Sequence, residues 1–501
     1  MNDMFIQALI EVVGVDGVSI SEMESPRYAR RLSALGGRGA SPQDHGQKAL
    51  AVVLPAGVQE VARVVEICSD SGVAIVPFGN GNGRAGELKS HRPYVIIDLK
   101  RMNAIRDLDV GRRRVEVEAG LTGKAFEQAL DAQGVTLGHF PFLQLSSSVG
   151  GWIATRSAGQ CSSRYGKISD MVVELEFVGA DGAIRTTPAP SAGLDWAQII
   201  IGSEGTLGII TAVTLLIHPV PSHRVPRGWL LPTVAAGVEV MRRTMQDGLR
   251  PAVLRLYDVL DTRLMGIDGP EETPSGVGAL KSLLSGSSAA KGIVLRKALG
   301  TAMLAKWASK RWGGPVLLVT VAEGSGAEAE ETDALIAEHA WALGGLDQGE
   351  KPGMAWLEHL DNLRDKQSEP LEMNACFDTI EVAASWDRVG VVYDAVRKAV
   401  RRHVVVMAHF SHAYPGGCSI RFTMAARPNS SEKRQRVYAA AWSAAFQAAQ
   451  SAGATVASPL MSDPPQLDHL DGTRDVNAGL FLALKKTMDP MDIFKPGVVL
   501  S

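Results

Sequence analysis

Short apolar runs and amphipathic stretches alternate along the first half of the chain. Residues 51–54 form an apolar run, followed by Pro55-Ala56-Gly57. The next segment sets Val58, Val61, Val65 and Cys68 on one stripe, the spacing of a half-buried helix. Residues 73–76 and 94–99 read as further strands. Residues 114–119 alternate Val115 and Val117 with Glu116 and Glu118, which predicts a strand buried on one face. Thr122 is suited to N-cap a helix over about 123–133. Residues 172–178, 183–186 and 209–217 complete the strand series. Strands spaced this closely predict an α+β unit rather than a doubly wound parallel sheet.

After Pro219-Val220-Pro221 the texture changes to longer amphipathic segments, with a strand at 316–321, a glycine/serine link near 285–288 and a long helix at about 430–451. No internal repeat of 20–50 residues occurs. The expected organisation is an N-terminal arm (1–47), one domain over 48–220, a second over 221–470, and a turn-rich tail (471–501, with MDPMDIFKPG) strapped back onto the first domain.

Composition narrows the class. Among 501 residues, 46% are apolar and 21% charged, which fits a globular chain and excludes a disordered one. A net charge of −3 gives no basic field for nucleic acid. No apolar run reaches the ~18 residues of a membrane-crossing helix. Cys68, Cys161, Cys376 and Cys418 are far apart and form no CxxC, and MNDMFIQALIEVVG lacks the basic start of a secretory leader. Reduced thiols and a cytoplasmic location are expected. Residues 291–312 carry six basic residues and no acid, with Leu295, Leu299, Met303 and Trp307 four apart. This segment reads either as a surface helix packed on one side or as an interfacial helix at a membrane or acidic partner. A homodimer also stays open.

Candidate chemistry begins at Phe78-Gly79-Asn80-Gly81-Asn82-Gly83. Glycine and asparagine tolerate positive φ, so successive N–H groups can converge on phosphate oxygens. The spacing matches neither the dinucleotide fingerprint nor a P-loop, and taken alone the segment also reads as a loose surface turn. Residues 138–166 then crowd small residues (Ser146, Ser147, Ser148, Gly150, Gly151, Gly159, Gly166) around Val149, Trp152 and Ile153, allowing backbone to approach a flat, polar-edged ligand. Gly202-Ser203-Glu204-Gly205-Thr206-Leu207-Gly208 repeats the theme before a strand starting at Ile209.

PFGNGNG…VIIDLKRMNAI, VEAG, SSSVGGWIATRSAG…YG and GSEGTLGIITAVTL together resemble the flavin-binding domain of the vanillyl-alcohol oxidase/p-cresol methylhydroxylase (PCMH) family. Within that family the chain is most similar to the alkyldihydroxyacetonephosphate synthases. The resemblance implies a PCMH-type FAD domain of two subdomains with an α+β substrate cap. It also implies FAD with its pyrophosphate at Phe78, Gly79, Asn80, Gly81, Asn82 and Gly83. Pro141, Ser147, Ser148, Gly151, Thr155, Ser157 and Gly159, with Glu204, Gly205, Gly208, Ile209 and Ile210, would line the isoalloxazine and ribityl chain. Relatives that attach flavin covalently use a histidine near the first turn; Asn80 and Asn82 stand there and His91 lies beyond it, so noncovalent FAD is expected.

Arg255, in the strand-like VLRLYD, is either in a structural ion pair or facing a ligand anion. Tyr414, in HFSHAYPGGCSIRF, reads as part of a turn feeding a strand, and as either a packed ring or a functional hydroxyl. His412 falls on its side if the segment is extended. His409 and His412 make only a faint metal pair, and no metal is expected. The resemblance implies that Arg255 faces the substrate's anionic group and that Tyr414 transfers a proton. One departure matters: the synthases carry consecutive histidines after their last long helix, whereas here residues 453–465 contain none and the next is His469. The expected function is therefore a diverged FAD-linked oxidoreductase acting on a small or lipid-like anionic substrate. The alternatives are a true synthase working through a flavin N5 adduct and a non-catalytic flavin-binding relative.

Overall fold

The computed structural model describes residues 2–20, 28, 49–81, 92–141, 147–188, 193–265, 314–365, 376–426, 431–456 and 476–496. Residues 291–312, Asn82, Gly83, His91 and His469 lie outside them. The first sheet holds β1 (Val18–Ser19), β2 (Ala49–Val53), β3 (Ala74–Phe78) and β4 (Tyr94–Asp98) in the order β1-β2-β4-β3. Strands β2, β4 and β3 run parallel because the helix Val58–Asp70 carries the chain back between β2 and β3. Its Val61, Val65 and Cys68 are buried, as the stripe predicts.

The second sheet is antiparallel and takes β5 (Ile105–Asp109), β6 (Arg114–Glu118), β8 (Val172–Val178), β9 (Ile184–Thr186) and β10 (Ile209–Leu216) in the order β5-β6-β10-β8-β9. Val115 and Val117 are buried, while Glu116 and Glu118 face outward and share Arg106 with Glu176. Thr122 occupies the N-cap of the helix Gly123–Asp131, but its side chain accepts no capping hydrogen bond; the Gly123 N–H donates instead to the Ser147 carbonyl at 3.0 Å. Outside this sheet β7 (Val135–Thr136) pairs with β11 (His218–Pro219).

The third sheet comprises β12 (His223–Leu231), β13 (Val253–Tyr257), β14 (Val316–Gly324), β15 (Leu346–Asp347), β16 (Cys376–Ser385), β17 (Val405–Tyr414), β18 (Gly417–Ala426) and β19 (Thr455–Val456). Their order is β15-β12-β14-β13-β17-β18-β16-β19, antiparallel at every pair. Period-two alternation splits it into two faces. Leu254, Leu256, Ile380, Val382, Val406, Ala408, Phe410, Ile420 and Phe422 join one core with the helices Val234–Gln246, Gly326–Ala342, Val389–Val400 and Ser431–Ser451. The alternate residues, including Arg255, Tyr257, Glu381, His409 and Arg421, belong to the opposite face. Tyr414 closes β17 rather than lying in a turn that feeds a strand; the turn follows it, at Pro415-Gly416.

The tail docks on the first sheet. The Ile75 N–H donates to the Ile493 carbonyl at 2.7 Å and the Lys495 N–H to the Ile75 carbonyl at 2.9 Å, with Ile493 and Phe494 fully buried. No helix among the described residues is long and apolar enough to cross a membrane. Cys68, Cys161 and Cys418 are buried.

Candidate functional site

The small-residue segments converge at the end of β3. Phe78 is buried at that strand's last position, and Gly81 adopts φ +72 in the turn beyond it. A Cβ at Gly79 would collide with the Ser148 hydroxyl, which places the turn directly against the helix Val149–Ala154. Ser148 caps that helix by accepting from the Gly151 N–H at 3.3 Å, and Ser147 accepts from the Trp152 indole at 2.7 Å. Thr155 donates to the Gly151 carbonyl at 2.8 Å.

The Glu204 N–H reaches the Ala154 carbonyl at 2.9 Å, and a Cβ at Gly205 would lie 3.0 Å from the Pro77 ring. Glu204, Gly205 and Gly208 all have positive φ, leading into Ile209 and Ile210 of β10. Ser157 bonds the buried His139 ring at 2.9 Å, and Gly159 packs so closely on His139 and Phe140 that a side chain there has no room. Glycine, serine and threonine thus predominate among these positions, which rest on the first two sheets. Such a cradle fits an elongated ligand bearing a diphosphate, since glycine-rich backbone can approach it closely. Pro141 is half-buried beside Phe140 in the chain, with no contact among the described residues that joins it to these positions, and 142–146 lie outside the described residues.

Across from the cradle, the polar face of the third sheet carries a row of ionisable groups. Register pairs Tyr257 with His409, His409 with Arg421, and Arg421 with Glu381, so four strands each contribute one. Arg255 lies two residues before Tyr257. Its guanidinium donates to the Gln160 side-chain carbonyl at 2.5 Å and sits 5.4 Å from the Trp356 ring centre. Asp261 approaches His409 at 3.8 Å.

Tyr414 and His412 both meet one hydroxyl from the first domain. Tyr414 Oη donates to Ser162 Oγ at 3.1 Å, and His412 Nδ1 is 2.8 Å from the same oxygen. Extended backbone does not bring them together. Pairing between β17 and β18 shifts register between Ser411 and Tyr414, and His412 takes φ +48, so a bulge re-aims the two side chains. Lys167 places its ammonium 5.3 Å from the Tyr414 ring centre.

Burial and neighbouring cations set the charge states. Burial lowers His412 to about 4, with Arg255 and Arg421 also disfavouring its cation and Glu381 and a Gly159 backbone hydrogen bond opposing them. His409 is likewise held well below its ordinary value, by burial, Arg255 and Arg421. Burial raises Tyr414 to about 12, against the Ser162 hydrogen bond. Burial pushes the Glu381 carboxyl up, but His412, Arg421 and His409 outweigh it and keep it below its usual range. Burial raises Asp261 to about 7 against Arg255. Both histidines are therefore neutral at neutral pH and the phenol is protonated.

The structure brings Tyr414, Arg255 and His412 to one region and the glycine-rich segments to another beside it. Gln160, Ser162, Trp356, Asp261 and Arg421 were not singled out by sequence. Arg421 had a signal, being a charged residue between Ile420 and Phe422 in an apolar strand; Gln160 and Ser162 had none.

Residues 49–188 match the family model described as an FAD binding domain, and residues 220–457 match the C-terminal domain of FAD linked oxidases. The chain is 28% identical over 478 residues to an alkyldihydroxyacetonephosphate synthase of Dictyostelium discoideum, covering 89% of this chain and 72% of that protein. It is 27% identical over 438 residues to an uncharacterized FAD-linked oxidoreductase of Escherichia coli (strain K12), covering 83% and 81%. The fold superposes on p-cresol methylhydroxylase with TM-score 0.71 at 16% identity, over 99% of this chain and 96% of that one.

Proposed function

We propose, for a chain that belongs to the FAD-linked oxidase family, that the enzyme withdraws a hydride from a small or lipid-like anionic substrate and holds its FAD noncovalently. The observation that carries this reading is a guanidinium at Arg255, buttressed by Gln160 and Trp356, in the same region as the neutral Tyr414–Ser162–His412 group. Bound FAD supplies the electron-pair acceptor. Phe78, Gly79, Asn80 and Gly81 would hold its diphosphate, and Ser147, Ser148, Gly151, Thr155, Ser157, Gly159, Glu204, Gly205, Gly208, Ile209 and Ile210 the rest. None of the described cradle positions carries a histidine, cysteine or tyrosine to bond the flavin, which supports noncovalent attachment.

Arg255 presents its remaining N–H groups to a carboxylate or phosphate, a planar geometry that lysine cannot reproduce. Tyr414, raised to about 12, is a hydrogen-bond donor rather than a resting base. The base is neutral His412, reached when Tyr414 takes a substrate proton as its own passes to Ser162 and the Ser162 proton to Nδ1. An anion on Arg255 cancels a charge that lowers His412, so substrate binding itself strengthens the base. Synthase chemistry is the second reading, favoured by similarity to the Dictyostelium protein; the missing histidine run weighs against it.

Anaerobic mixing with 2-hydroxy acids and with acyl-dihydroxyacetone phosphate separates the two. Flavin bleaching that a dye reverses supports hydride transfer. Ether product without net reduction overturns it.

A further inference from the structure

The segment Gln160–Ser162 belongs to the first domain, yet its two polar side chains both end on site residues of the third sheet. Gln160 Oε1 accepts from Arg255 Nη2 across 95 positions of sequence. Ser162 Oγ accepts from Tyr414 across 252 positions and contacts His412 Nδ1 across 250. The segment is itself fixed: the Gln160 N–H donates to the Phe140 carbonyl at 2.8 Å and the Ser162 N–H to the Gly159 carbonyl at 3.1 Å. Cys161 between them is buried in a small core with Phe140, Tyr257 and Trp356, so it cannot drift. On the other side, the bulge and the left-handed backbone at His412 bring the histidine and tyrosine to the same oxygen. A backbone conformation that costs energy persists only where surroundings hold it, and here it delivers a three-membered hydrogen-bond chain.

We propose that Gln160 and Ser162 are positioning residues with separate duties: Gln160 orients Arg255 for an anion, and Ser162 carries protons between Tyr414 and His412. This rests on the reading of Arg255 and Tyr414 given above. Ser162 suits its duty because a hydroxyl accepts one hydrogen bond while donating another, so a proton gained from Tyr414 is matched by one lost to Nδ1. Gln160 suits its own because its amide carbonyl holds one guanidinium edge without neutralising the charge, which a carboxylate would do. The groups facing this chain are Glu381, Arg421, Arg255, His409 and His139 around His412, and Asp170, Lys167 and Glu381 around Tyr414.

Two probes that are not substrates read the duties separately in the FAD-loaded protein. Sulfite, a small anion that adds to flavin and bleaches it, reports the anion arm through its dissociation constant. Reoxidation of photoreduced flavin by dichlorophenolindophenol, in H2O and D2O, reports the proton arm, because the ring must release a proton and the Tyr414–Ser162–His412 chain takes it up in place of the substrate's. Gln160→Leu is expected to raise the sulfite constant about tenfold, the loss of one charge-assisted hydrogen bond. Ser162→Ala is expected to slow reoxidation by about a hundredfold and to change its solvent deuterium effect, while Ser162→Thr restores both. Flavin retention in each variant reports folding. If the two substitutions move both readouts in parallel, or move neither, the proposal is wrong. Arg255→Leu separates this from failure of the underlying reading: sulfite affinity indifferent to Arg255 sinks both, whereas dependence on Arg255 but not on Gln160 sinks only the positioning role.

Discussion

A histidine in left-handed backbone, largely enclosed and neutral, contributes to stability in a way that depends on pH. His412 drops from an ordinary 6.5 to about 4 in the folded chain. The unfolded state therefore binds more protons between those values, and stability is full above pH 6.5 and falls as pH is lowered toward 4. The loss reaches up to about 3 kcal/mol at the acid end. His412→Gln should flatten the acid limb of a pH–stability curve by one proton; an unchanged limb would mean that the ring is solvated. Gly81, at φ +72, makes the complementary point for the cradle. Gly81→Val forces a β-branched residue into that conformation and should lower flavin occupancy of purified protein, measured by the ratio of flavin to protein absorbance. Full occupancy would show that the turn does not touch the cofactor.

Elements with a clean period were legible in the sequence. The strand predicted at 172–178 is β8, and the alternation at 114–119 is β6 with its valines inward. The end of β17 was not legible, because Pro415-Gly416-Gly417 marks a turn directly after Tyr414 and a bulge leaves no mark in composition. The strap was legible as a turn-rich tail but not in its chemistry. Lys485 is buried against Asp489, 3.1 Å from Asp492, and donates to the Thr206 and Phe494 carbonyls at 2.9 and 2.7 Å. Lys495 donates to the Glu204 carbonyl at 3.0 Å. One buried lysine thus ties the strap to the 203–206 turn and to itself. Lys485→Met leaves Asp489, 1% exposed, without its cation and should cost about 3 kcal/mol, read as a lowered thermal midpoint. A midpoint like that of the wild type would make the pair dispensable.

At the scale of the molecule, the convergence of the glycine- and serine-rich segments was readable because backbone constraints concentrate such residues in consecutive positions. The substrate side was not. Gln160 and Arg255 meet only because the first domain packs on the polar face of the third sheet, and no local pattern encodes that contact. The two domains are further joined by Arg164 with Glu328 at 2.8 Å and Tyr165 with Glu323 at 2.6 Å. Substrate demand follows from this arrangement: Arg255→Lys should raise the KM for an anionic substrate about tenfold with little change in kcat, as one planar contact is lost in ground and transition states alike. A fall in kcat at constant KM would place Arg255 in the chemistry instead. The most direct measurement is a crystal structure of the FAD-loaded enzyme with an anionic substrate or with sulfite. The account predicts the isoalloxazine between the cradle and the third sheet, the anion on Arg255, and the Tyr414 hydroxyl within about 4 Å of the ligand or the ring. An isoalloxazine turned away from Arg255 and Tyr414 would contradict it.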